Sequence, residues 1–181
     1  MSAIDTTLNR RRFLKRAVQT SALLMAPQIV PPAVLGKDGG IAPSERVVLG
    51  GIGIGGRGSY VLGCFLQEPD VRFVAIAEVK AQRRQAVKQM ADQRYGNTDC
   101  ATYRDLRELL ARPDIDAVLI ATGPNWHAAA SMLAARAGKD VYCEKPCAKT
   151  IMDSLALADT FRRTGRVFQA GTQRRSLPNF A

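Results

Sequence analysis

The stretch Val47-Val-Leu-Gly-Gly-Ile-Gly-Ile-Gly-Gly-Arg-Gly58 decides the fold. Its first half, Val47–Ile52, is a short apolar run rich in β-branched residues, the pattern of a buried parallel strand. Its second half, Gly53-Ile54-Gly55-Gly56-Arg57-Gly58, is GxGxxG. In that motif the first glycine permits a tight turn, the second lets backbone approach a pyrophosphate, and the third lets a helix pack on the strand. The helix opening near Arg57 then aims unpaired N–H groups and a positive dipole end at the phosphates. Glu78 stands 20 residues after Gly58, at the end of a second apolar strand, Val71–Ala77. A ribose hydroxyl acceptor belongs at that position. Together these features predict a dinucleotide site in which Gly53, Gly55, Gly56, Arg57, Gly58 and Glu78 hold the cofactor. A carboxylate at position 78 favours the free ribose diol of NAD over the 2′-phosphate of NADP. Lys80, Arg83 and Arg84 soften that preference, so NADP stays possible. Arg57 lies either beside the pyrophosphate or toward solvent.

Outward from this stretch, strands and helices alternate. Tyr60–Gln67 carries apolar residues at helical spacing, and Lys80–Tyr95 is a charged helix with Ala86, Val87 and Met90 on its inner face. Leu106, Leu109 and Leu110 mark another helix, ended before Pro113. Asp116–Ala121 is a strand, His127–Ala137 an alanine-rich helix closed by Gly138, and Asp140–Cys143 a short strand. Thr150-x-x-Asp153 resembles a capping box opening a helix through Arg163, and Val167–Ala170 is a sixth strand. Such alternation implies right-handed crossovers and one doubly wound parallel sheet of about six strands, an α/β Rossmann-type fold.

Composition narrows the function classes. The chain has 181 residues, 46% of them hydrophobic and 23% charged, a normal globular balance. The net charge of +10 suggests a nucleic-acid partner until it is divided along the chain. Five basic residues fall in the first sixteen positions, and the 21 others, from Lys37 onward, face 15 acidic ones. With aromatics at 6% and no basic stripe interleaved with them, nucleic-acid binding is not expected. The four cysteines (64, 100, 143 and 147) include no CxxC pair, and a single histidine leaves no zinc-type cluster, so no metal is expected. Cys64 and Cys143 fall in apolar segments and read as small core residues.

Residues 1–36 read as a targeting segment and 37–45 as a linker. Asn9-Arg10-Arg11-Arg12-Phe13-Leu14-Lys15 resembles a twin-arginine export motif, with Asn9 where Ser or Thr is usual. The apolar stretch that follows, Ala17–Val34, is broken by Pro27, Pro31 and Pro32, and a spanning helix needs about 20 continuous apolar residues. No clear A-x-A cleavage site is present, which leaves anchoring without cleavage open. The resemblance implies the twin-arginine translocase as a partner and a periplasmic or exported location.

Three further segments make the reading specific. Ala121-Thr122-Gly123-Pro124-Asn125-Trp126-His127 follows the fourth strand, Glu144-Lys145-Pro146 the fifth, and Gly171-Thr172-Gln173-Arg174-Arg175-Ser176 stands near the end. With the glycine turn, they resemble the Gfo/Idh/MocA oxidoreductases, in particular their exported branch. The resemblance implies that Lys145 is the catalytic lysine beside the nicotinamide and a substrate hydroxyl, that Glu144 contributes to the cofactor site, and that the Lys145–Pro146 bond is cis. Read without it, Glu144 and Lys145 lie beyond the carboxyl end of a parallel strand, where such sheets bind ligands, with an ordinary surface ion pair as the equal alternative. Thr122, Asn125, Trp126 and His127 match the loop over the nicotinamide ribose, although Gly123 departs from the commoner proline. His127, the only histidine, is expected at the cofactor, with a capping or packing role as the alternative. Gln173 reaches the cofactor or serves the structure.

Relatives of this kind continue into an α/β domain that forms the substrate pocket. Residues 46–175 are therefore expected to be the NAD(P)-binding domain and 176–181 the start of a truncated region, with the substrate domain absent. The expected function is the cofactor half of an exported enzyme moving hydride between a nicotinamide and a sugar or polyol-like hydroxyl. An NAD-dependent glycosidase and a non-catalytic nucleotide-binding fragment are the alternatives. Homo-oligomers are expected only where the second domain is present.

Overall fold

A computed structural model describes residues 41–176, so the export-like segment lies outside the described residues. The chain divides into two units, Met1–Ala42 and Pro43–Ala181, and the second carries the fold. Within the expected linker, Pro43–Glu45 forms a 3-10 turn. Strand β1 (Val47–Ile52) and helix α1 (Gly56–Phe65) flank the glycine turn. Then follow β2 (Val71–Ala77), α2 (Ala81–Tyr95), β3 (Ala101–Tyr103) and α3 (Leu106–Leu110). The second half is β4 (Ala117–Ile120), α4 (Pro124–Arg136), β5 (Asp140–Glu144), α5 (Ile151–Thr164) and β6 (Phe168–Gly171). All six strands are parallel, in the order β3-β2-β1-β4-β5-β6. This is the doubly wound order, and winding reverses between β1 and β4, where such sheets bind ligands beyond the strand ends.

Alternation along each strand feeds two cores, one on each face. Val118 and Ile120 of β4 join Leu109, Ala134 and Leu157 on one side, while Leu119 joins Leu62, Phe73 and Val87 on the other. The register slips between Leu49 and Gly50, where Leu49 pairs with Phe73 but Gly50 with Ala75. That slip puts Val74 and Ala75 against one core and leaves Phe73 and Ile76, three apart, in the other.

Helix α1 begins at Gly56, next to the opening expected near Arg57, and its first turn is built from the motif's own glycines. Several expectations need correcting. Helix α4 begins at Pro124 rather than His127, since proline is pre-organised for the first helical position. Ala86 is exposed, and the inner face of α2 is Val87 and Ala91, with Met90 packed beside them. Cys64 is exposed too, whereas Cys143 is a core residue and Cys147 packs against the same cluster. All four cysteines are free. Strand β3 has only three residues and no periodicity to announce it.

Candidate functional site

A cleft of about 840 Å³ opens at the carboxyl ends of the strands. It is lined by Gly53, Gly55, Gly56, Arg57 and Gly58 of the turn, by Glu78 just after β2, and by Thr122 and Trp126 at the start of the β4–α4 segment. Gly53 has φ +66°, and a Cβ there would stand 2.2 Å from Thr122 Cγ2. Any side chain would drive the two loops apart. A Cβ on Gly58 would stand 2.8 Å from that of Ala121, so the third glycine seats α1 against the end of β4. A Cβ on Gly56 would meet nothing within 4 Å. Helix α1 starts there with no side-chain cap. These are the features of a cradle for an anion: a bare backbone turn and a helix end whose N–H groups no side chain satisfies.

Glu78 is 6% exposed and lines the cleft. Lys80 N donates to its Oε1 at 2.8 Å, and Arg84 Nη1 donates to its backbone carbonyl at 2.5 Å, which together fix the carboxylate at the end of β2. Arg83 lies over the turn, its Nη1 3.4 Å from the position a Gly55 Cβ would take. Arg104, just after β3, and Arg107, in the first turn of α3, also line the cleft, together with Asp105, the ion-pair partner of Arg107, and Glu108. Arg104 follows a strand of only three residues, too short to be read from the sequence.

The residues after β5 lie beside the cleft rather than along it. Glu144 is 4% exposed, and its partner is not Lys145 Nζ. Arg57 Nε donates to Glu144 Oε1 at 3.2 Å, Lys145 N donates to Oε2 at 3.2 Å, and Gln173 Nε2 also donates to Oε1. The surface-pair alternative is thus replaced by a buried carboxylate joining the phosphate turn to β5 and the Gln173 segment. Arg57 is half-exposed, stacked over Tyr60 with 5.0 Å to the ring centroid and held by Glu144, while also lining the cleft. Gln173 spends its amide on Glu144 and Tyr142 rather than facing the cleft. Burial raises the Tyr142 hydroxyl above its ordinary value. Lys145 is exposed, and its bond to Pro146 is cis. Asn125 is exposed in the first turn of α4. His127 is 2% exposed, with Nδ1 2.7 Å from the Pro146 carbonyl and Nε2 3.0 Å from that of Thr122. Its ring therefore takes the packing position and does not line the cleft. Burial pushes the Cys143 thiol up to about 12.

The family model described as GFO_IDH_MocA, oxidoreductase family, NAD-binding Rossmann fold, matches residues 46–172. Glycosyl hydrolase family 109 protein 1 of Shewanella sp. strain MR-4 is 35% identical over 172 residues, covering 87% of this chain and 38% of that protein. An alpha-N-acetylgalactosaminidase of Shewanella oneidensis is 34% identical over the same shares. Among solved structures, an NAD-binding protein from Listeria innocua is 31% identical with a TM-score of 0.62, covering 72% of this chain and 36% of that one. An NAD binding oxidoreductase from Klebsiella pneumoniae is 27% identical with a TM-score of 0.61, covering 75% and 36%. The chain spans about 38% of the length of the curated relatives named here.

Proposed function

Because the chain belongs to the Gfo/Idh/MocA oxidoreductase family, whose domain here is the NAD-binding Rossmann fold, we propose that it is the cofactor-holding half of an enzyme that moves hydride between NAD and a sugar hydroxyl. The observation that carries this reading is the pairing, in one cleft, of an uncapped glycine turn with a buried, oriented Glu78. Bound NAD would supply the hydride acceptor. The chain's own residues do the rest of the work on this side of the site. The Gly53–Gly58 turn binds the pyrophosphate through backbone N–H groups, and Glu78 accepts from the adenosine ribose diol, which favours NAD over NADP. Thr122 and Trp126 wall the nicotinamide end. Lys145, projecting beyond β5, would donate from Nζ to the substrate hydroxyl oxygen and orient it toward the nicotinamide. The remaining groups around the sugar belong to sequence beyond this domain.

Two net reactions share this half-site. One is simple oxidation of the hydroxyl. The other is glycoside hydrolysis, in which transient oxidation labilises the glycosidic bond and the cofactor is regenerated. The names of the Shewanella relatives favour the second. The Arg10–Arg11 pair and the apolar stretch after it support export by the twin-arginine translocase to the periplasm. The discriminating experiment gives the full-length protein a p-nitrophenyl α-N-acetylgalactosaminide. Release of nitrophenol without net NADH is expected of the glycosidase. NADH accumulating in step with sugar oxidation assigns a dehydrogenase instead.

A further inference from the structure

We infer that His127 is a positioning residue, a brace that sets the two nicotinamide-side loops against each other without touching the cofactor. The inference rests on the dinucleotide reading of the cleft. His127 is the fourth residue of α4, and side chains in a helix tilt toward its amino end. The ring therefore lies back under the β4–α4 loop, where it is 2% exposed. Nε2 sits 3.0 Å from the carbonyl of Thr122 in that loop, and Nδ1 sits 2.7 Å from the carbonyl of Pro146 in the loop after β5. A neutral ring has one N–H for these two acceptors and an imidazolium has two; in either state its donors go to backbone.

The two carbonyls belong to the segments that would frame the nicotinamide. Thr122 walls the cleft, and its methyl is the group that forbids a side chain on Gly53. Pro146 is bonded to Lys145, so its carbonyl fixes the backbone from which that side chain projects. The brace thus connects the glycine turn, the Thr122 loop and the lysine through one buried ring. Nothing at the Glu78 end touches it: Glu78 is held by Lys80 and Arg84. Loss of the ring should accordingly loosen the nicotinamide end and leave the adenosine end intact.

The test compares NADH with ADP-ribose, which lacks the nicotinamide, by calorimetric titration of the 181-residue chain. In His127→Ala, NADH should bind about tenfold more weakly, the effect of one lost hydrogen bond at a positioned loop, while ADP-ribose stays within about twofold. His127→Asn, which keeps a donor near the Nδ1 position, should recover part of the NADH affinity. Equal weakening of both ligands, or loss of folding, would make His127 a general packing residue and overturn the role. So would unchanged NADH binding. Binding of neither ligand by the unsubstituted chain would instead overturn the cofactor site, and this role with it.

Discussion

On the proposed reading, Glu78 is the residue on which cofactor choice would turn. Its carboxylate is buried and fixed from behind by Lys80 N, so a ribose would meet it already oriented, with little freedom left to lose. Glu78→Gln keeps an oxygen for Lys80 N and removes only the charge. NADH affinity should fall about tenfold, as expected for a hydrogen bond to a charged group, and NADPH should fall less because a repulsion is removed as well. Fluorescence titration of the two cofactors checks this, and equal losses would count against a ribose role. Glycine spacing and the Glu78 offset were both legible in the sequence, since each depends on chain distance alone. The partners of Glu144 were not. Arg57 lies 87 positions away, and no local pattern announces such a contact. His127 was legible as a site-proximal residue but not as a brace, because the carbonyl it meets at Pro146 belongs to a different loop.

At the scale of elements, a buried lysine with no signal in the sequence joins two connections of the sheet. Lys139, 6% exposed, follows the turn at Gly138 and donates from Nζ to the carbonyls of Arg112 at 2.7 Å and Ile115 at 2.8 Å. It thereby ties the start of β5 to the α3–β4 connection. Lys139→Met preserves the aliphatic stem but strands two carbonyls. The expected cost is about 2 kcal/mol, and urea unfolding with an unchanged slope is the measurement. A cost near zero would mean that water replaces the ammonium. Five strands could be named from apolar runs, because each has at least four residues bounded by turn or helix signals. The sixth, β3, has only three residues and no apolar run to locate it, so Arg104 just after it carries no signal either. The start of α4 shifted for a related reason, because Pro124 builds its first turn and contributes nothing to an apolar stripe.

For the molecule as a whole, two buried thiols link the core to pH. Cys100 lies in one core and Cys143 in the other, and burial pushes them from an ordinary 9.0 up to about 11 and about 12. The folded state keeps protons that the unfolded chain gives up. Their stabilisation is therefore fully present below about 9 and is lost as pH rises through 11 and 12. Melting temperature should hold to pH 9 and decline above it, and Cys143→Ala should make that decline shallower; an unchanged slope would remove Cys143 from the account. The same architecture, two cores around one parallel sheet, leaves its carboxyl edge free for the cleft. Whether that edge is a cofactor site is settled most directly by titrating the chain with NADH and following nicotinamide fluorescence. Saturable binding that NAD and ADP-ribose compete away, and that Glu78→Gln weakens, is the predicted result. No binding at millimolar NADH by a chain that is demonstrably folded would contradict it.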